Sequence, residues 1–344
     1  MIQNIGLIFD SNFKTGGGHF WRCFNFSKLL QNNKRKFFFI SNKLDKNFIR
    51  ILKKENFKYR QKINFNDFNQ IKNLIKKLKL KIIVSDYYHL HAKNKKKIRD
   101  LVDKLIVIDD HLNKKHFCDI FINNNFMNNE SKLKIKELNP NTNLLLGPDY
   151  FIHNKKFLKI KKKIKKKKRI KNIFIFFGTS DLSNETYKFI KSVSRIENIN
   201  FKILVGNLNK NYKSIVNFCK NKKNMKIFYN LSNYRTLKLM QKTDFAFGSG
   251  GINLTERLFL GLPSAVICTA KNQKKALLAL KSKGVIHYLG ESKNVKEKKI
   301  KSCLNLYLEN KEKYTHLENK MNIYYKKENF NLLEKSINFE IKEN

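Results

Sequence analysis

Residues 5–22 read IGLIFDSNFKTGGGHFWR: an apolar run from Ile5 to Phe9 ends at Asp10, a polar loop passes through Gly16, Gly17 and Gly18, and a helical pattern opens on His19. That is a strand, a loop and a helix N-terminus, the place where α/β proteins gather ligands. The chain has 13 glycines in 344 residues, so three in succession point to a backbone requirement. Outward from this stretch, short β-branched and aromatic runs (Lys36 to Ser41, Lys81 to Ser85, Leu105 to Ile108, Ile120 to Ile122) alternate with lysine-rich segments of helical period. Helices are expected over His19 to Gln31, Asp45 to Asn56 and Asp67 to Leu78. Strands spaced in this way read as a parallel sheet of βαβ units.

A polar break over Asn123 to Asn143 is followed by a run ending in Gly147-Pro148-Asp149-Tyr150. The alternation then restarts, with strands expected at Asn172 to Phe177, Phe201 to Val205, Met225 to Phe228, Phe245 to Phe247, Ser264 to Cys268 and Val285 to Tyr288. Between the halves lies the most charged segment, Ile160 to Lys171, read as a solvated linker. The expected layout is an N-terminal Rossmann-like domain over 1–155, a basic linker over 156–171, a second Rossmann-like domain over 172–310, and a helical segment over 311–344 packing back on the domain junction. The chain is thus α/β, with two parallel-sheet halves facing a central cleft.

The formal charge is +46, from 73 Lys and Arg against 27 Asp and Glu. Such an excess fits polyanion binding. Here the lysines are spread over nearly every segment, alongside an excess of Asn, Ile and Phe, which reads as compositional bias; no specific nucleic-acid partner is expected. Cys23, Cys118, Cys219, Cys268 and Cys303 have no metal-ligand spacing, and the histidines form no metal set, so no metal and no cofactor are expected. With no signal-like segment and no apolar run near 18 residues, a cytoplasmic chain without stable membrane insertion is expected. Nothing in the sequence sets its oligomeric state.

Acids are scarce, and three stand at strand ends: Asp10, Asp86 and Asp109, the last beside Asp110. All are expected on one sheet edge beside the glycine loop, where caps and turns are the alternative use. His19 opens its helix with Arg22 one turn on. The positive end of the helix dipole disfavours imidazolium, leaving a ring able to accept a proton. In the second half, Gly248-Ser249-Gly250-Gly251-Ile252-Asn253 precedes Thr255-Glu256-Arg257. Backbone N–H groups at such a helix start can cradle a diphosphate, and Glu256 can hold the hydroxyls of a ribose. Gly178, in Phe177-Gly178-Thr179-Ser180-Asp181, opens a further strand-to-loop turn.

These segments, with Cys118-Asp119-Ile120, Gly147-Pro148-Asp149-Tyr150 and Lys271-Asn272-Gln273, resemble in order the UDP-2,4-diacetamido-2,4,6-trideoxy-β-L-altropyranose hydrolases of pseudaminic acid biosynthesis, within the MurG-like GT-B superfamily. The resemblance covers about residues 5 to 290. It implies a UDP-sugar substrate, water attack at the anomeric carbon with inversion, and His19 as base. It places Asp10, Gly17, Gly18, Arg22, Asp86, Asp109 and Tyr150 on the sugar side. It places Gly178, Ser249, Gly250, Gly251, Ile252, Asn253, Glu256, Asn272 and Gln273 on the nucleotide side, with the backbone near Asn230 to Asn233 beside the uracil. Ile8, Tyr87 and Asn154 depart from the family pattern, all on the sugar side. The alternative is a MurG-like glycosyltransferase using a UDP-sugar donor.

Overall fold

A computed structural model describes residues 2–11, 16–111, 113–153, 157, 160, 169–324 and 332–342. Asn154 and most of the basic run 160–171 lie outside the described residues. The chain divides into two compact units, Met1–Lys155 with Glu328–Asn344, and Lys156–Lys327.

The first unit runs β1 (Gln3–Phe9), α1 (Gly18–Leu30), β2 (Arg35–Ile40), α2 (Lys46–Lys54), β3 (Lys58–Arg60), α3 (Phe68–Leu78), β4 (Ile82–Asp86), α4 (Ala92–Arg99), β5 (Lys104–Ile108), β6 (Ile120–Asn123), α5 (Asn129–Leu138) and β7 (Asn143–Leu146). All strands pair in parallel, in the order β3-β2-β1-β4-β5-β6-β7. The central strands are buried on both faces, as parallel sheets require. One face packs Ile8, Ile40, Ile83, Leu105, Val107 and Phe121 against the α3 residues Ile71 and Ile75. The other docks α1 through aromatic rings: Phe20 lies 6.1 Å from Phe9 and 4.3 Å from Phe48. Since Phe20 and Phe24 are one turn apart on one stripe, this packing fixes the rotation of α1, and with it the direction of His19 and Arg22.

The second unit contains β8 (Asn172–Phe176), α6 (Glu185–Ser192), β9 (Asn200–Val205), α7 (Tyr212–Cys219), β10 (Met225–Tyr229), α8 (Asn233–Gln241), β11 (Phe245–Ser249), α9 (Ile252–Phe259), β12 (Ser264–Cys268), α10 (Lys274–Ser282), β13 (His287–Glu291), α11 (Glu297–Glu309) and α12 (Lys311–Tyr324). Its parallel sheet has the order β10-β9-β8-β11-β12-β13. Its core joins Ile173, Phe189, Phe201, Phe245 and Phe247 to Leu304 and Tyr307 of α11. The last helix, α13 (Leu332–Lys342), belongs to the first unit, where Asn338 accepts from Arg35 at 2.7 Å and Glu340 accepts from Asn143 at 2.6 Å.

The expected strands form, mostly within a residue or two of the runs read from sequence. The polar break holds a helix, α5, which Asn128 caps by accepting from the Ser131 N–H, and which buries only Ile135. One buried position leaves no helical period to read. All five cysteines are buried and unpaired. Burial pushes the Cys118 and Cys303 thiols up to about 12, so they act as apolar filling. Among the described residues, no helix is long and apolar enough to cross a membrane, and no His, Cys, Asp and Glu cluster could hold a metal ion.

Candidate active site

In the first sheet the strand order reverses between β1 and β4, where open α/β sheets bind ligands beyond their carboxyl ends. Gly16, at φ +71°, turns the chain into α1, and Gly17 caps it without a side chain. His19 is the second residue of α1, and Asp86 is the last of β4. Nδ1 of His19 sits 2.8 Å from Oδ1 of Asp86. Because the carboxylate can only accept, Nδ1 is assigned the hydrogen and Nε2 keeps the lone pair.

Arg22, one turn along, ties this pair to a second carboxylate. Its Nε donates to Asp86 Oδ2 at 2.8 Å, its Nη1 donates to both oxygens of Asp110 at 2.8 and 2.9 Å, and its Nη2 donates to the Tyr88 hydroxyl at 2.9 Å. The Tyr88 hydroxyl donates to Asp110, and Asn125 donates to the same carboxylate at 2.9 Å. Asp86 is fully buried and Arg22 nearly so. Burial alone would lower the Arg22 pKa and raise that of Asp110. The pairing outweighs it, leaving Arg22 well above its usual value and Asp110 below the usual carboxylate range. The Tyr88 ring meets the His19 ring edge-on at 4.6 Å.

The strand-end acids share an edge but divide between the two faces of the sheet. Phe9 is in register with Asp86, so Asp10 and Asp109 fall one residue further and point to the opposite face. Asp10 Oδ1 accepts from the Ser41 hydroxyl and the Asn42 and Lys43 N–H groups, holding the loop after β2. Asp109 accepts from the His111 N–H and faces the His111 ring. Tyr150 lies in the turn Pro148–Tyr150 after β7, separated from β1 by β4, β5 and β6 in the sheet order. Ile8 is buried in the apolar core, and Tyr87 leans on Phe65 with ring centroids 4.9 Å apart. Thus His19, Arg22 and Asp86 come together, joined by Asp110, which the sequence offered only as the neighbour of Asp109, and by Tyr88 and Asn125, which it did not single out.

The second sheet reverses between β8 and β11. Here the loops are built for close backbone approach. Gly178 has φ +103° and Gly251 has φ +89°, conformations that L side chains rarely adopt. A Cβ at Gly248 would stand 2.4 Å from the Phe176 carbonyl oxygen. The space beside Gly250 is closed by Gln273, whose Oε1 accepts from the Thr269 N–H at 3.2 Å. Asn272 is exposed in the same short turn, Lys271–Gln273. Gly251 caps α9 without a side chain, so the first N–H groups of α9, from Ile252 and Asn253, are not satisfied by a capping oxygen.

Behind the loop, Arg257 is fully buried and donates from Nη2 to the Ser249 carbonyl at 2.7 Å. It thereby fixes the loop from below. Glu256, 4% exposed, accepts from Asn233 at 2.8 Å and from Asn253 at 3.1 Å. Burial raises its pKa to about 7, against the two amides and Arg257, which favour the charged form. Asn233 starts α8, so Glu256 links the loop after β10 to the loop after β11. Arg257 and the Asn233 side chain were not assigned from sequence, although both adjoin stretches that were.

Two units with parallel sheets of this order, each with a loop cluster at its strand reversal, define a GT-B fold. No protein-family model matches the chain. It is similar to the Acinetobacter baumannii MurG structure (TM-score 0.63, 12% identity, 97% of this chain and 99% of that one). It is also similar to UDP-GlcNAc 2-epimerase from Neisseria meningitidis bound to UDP-GlcNAc (TM-score 0.66, 13% identity, 99% and 100%).

In sequence it is 28% identical over 282 residues to an uncharacterized protein of Methanocaldococcus jannaschii, covering 79% of this chain but only 57% of that protein. It is 24% identical to the spore coat polysaccharide biosynthesis protein SpsG of Bacillus subtilis over 84% of each chain. It is 27% identical to the UDP-2,4-diacetamido-2,4,6-trideoxy-β-L-altropyranose hydrolase of Campylobacter jejuni over 62% of this chain and 75% of that one.

Proposed function

We propose that this chain is a nucleotide-sugar hydrolase that releases UDP from a UDP-linked diacetamido-trideoxy sugar, in nonulosonic (pseudaminic) acid biosynthesis. The observation that carries the reading is the His19–Asp86 pair, 2.8 Å apart at the strand reversal of the first sheet. The likeness to the Campylobacter jejuni hydrolase supports the choice of substrate. With Nδ1–H on Asp86, Nε2 of His19 accepts a proton from water as its oxygen bonds to the anomeric carbon. The bond from that carbon to the β-phosphate oxygen breaks, its electron pair leaves with UDP, and the configuration inverts. Asp86 holds the ring and stabilises the imidazolium that forms, and Arg22 holds Asp86.

The second unit carries the nucleotide in this reading. The open N–H groups at the start of α9 and the positive end of its dipole stabilise charge on the departing diphosphate. Glu256 accepts from the ribose hydroxyls. A diphosphate is a good leaving group, so no strong general acid is required. The test is ³¹P NMR of purified protein with the UDP-linked diacetamido sugar. UDP should form from the donor in water alone, at a rate that no acceptor changes. No UDP under any condition would sink the reading, and release that depends on an acceptor glycan or lipid would replace it with glycosyl transfer.

A further inference from the structure

The first unit holds a second imidazole built like the first. His111 follows Asp110 after β5. Its Nδ1 lies 2.6 Å from Asp109 Oδ1, and its backbone N–H donates to the same oxygen at 2.9 Å. Asp109 is 1% exposed and is flanked by cations: the Lys114 ammonium is 3.7 Å from Oδ2, and the buried Lys95 lies within electrostatic reach. The His111 side chain, by contrast, is 39% exposed. The ring is therefore gripped from below and open above.

Tyr88 joins this imidazole to the catalytic one. Its ring meets His19 edge-on at 4.6 Å and His111 edge-on at 4.9 Å, so the two imidazoles flank one aromatic ring at one end of the sheet. In the tautomer that puts Nδ1–H on Asp109, Nε2 of the part-exposed His111 ring carries a lone pair and accepts. The His19 mechanism leaves this nitrogen without a task. A surface histidine kept only for stability gains little from a half-exposed pair.

We propose that His111 determines sugar specificity by accepting a hydrogen bond from a hydroxyl or acylamino N–H of the substrate's sugar ring. This rests on the sugar-nucleotide reading above. A sugar with only a carbonyl or an apolar group at that position is rejected, because Nε2 is then buried without a donor.

The experiment compares His111→Ala and His111→Gln with the native chain, by steady-state kinetics on the UDP-linked diacetamido sugar and by calorimetry with UDP alone. His111→Ala should raise KM by about tenfold, the weight of one hydrogen bond, with UDP affinity unchanged. His111→Gln, whose amide oxygen also accepts, should recover part of the loss. A native KM in His111→Ala, or equal weakening of UDP and the sugar nucleotide, overturns the inference while leaving the hydrolase intact. Failure of the native chain to bind UDP overturns the hydrolase reading, and this inference with it.

Discussion

Apart from β7, an extra edge strand in the first, the two sheets share a strand order and differ in what stands at the reversal. In the first unit it is side chains: one imidazole, two carboxylates, a guanidinium and a phenol within hydrogen-bonding reach of one another. In the second it is mostly backbone: glycines at positive φ and an uncapped helix start, with Glu256 and Arg257 tucked behind. Rossmann topology supplies the same crevice twice. Ionised groups placed there do proton chemistry and must neutralise one another to be buried. Bare N–H groups placed there bind anions and must be left room. On the proposed reading, the same fold makes a reactive edge and a holding edge.

If that division is right, disturbing one edge should leave the other working. Among the groups that position His19, the largest effect is expected from Asp86→Asn, which replaces a carboxylate that only accepts by an amide that can also donate and so unfixes the His19 tautomer. Turnover should fall on the order of 10³-fold while UDP affinity stays put, read by UDP release and by calorimetry. Arg22→Met should cost about 3–5 kcal/mol in chemical denaturation, because Asp86 and Asp110 lose their shared cation and Asp86 is left charged in the interior.

The second edge has a pH signature of its own. Burial places the folded-state pKa of Glu256 near 7, above its unfolded value, so the native state binds the extra proton. Stability from this group is therefore fullest below the unfolded value and falls as pH rises toward 7. Glu256→Gln should be the more stable chain at pH 8, by on the order of 2 kcal/mol, with little difference at pH 4, in denaturation series at the two pH values. In the proposed role ribose hydroxyls donate to the ionised carboxylate, so UDP affinity should rise from pH 6 to pH 8 and lose that rise in Glu256→Gln. The smallest effect is expected from Gly251→Ala. It strains a residue at φ +89° and should weaken UDP about tenfold without lowering turnover at saturation.

Much of this was legible because it depends on local pattern. Ile5 to Phe9 and Phe245 to Phe247 announce strands, and the glycines behind them announce loops where backbone comes close. What remained hidden depends on register. Asp109 and Asp110 are adjacent letters, but one residue of shift turns them to opposite faces, and only Asp110 meets Arg22. Arg22 reaches it because β1, β4 and β5 are neighbours in the sheet, an order that no local signal in Arg22 reveals. Lys95, buried against His116 at 3.1 Å, is lost among dozens of exposed lysines. Asn233 reads as a helix start, and its bond to Glu256 exists only once β10 and β11 carry their loops to the same sheet edge.

The division of labour is tested most directly by His19→Ala, assayed for UDP release from the UDP-linked diacetamido sugar and for UDP binding by calorimetry on the same sample. Loss of turnover by roughly 10²–10⁴-fold, the usual weight of a general base, with unchanged UDP affinity is the predicted result. Turnover that survives the substitution, or UDP affinity that falls with it, would contradict the account.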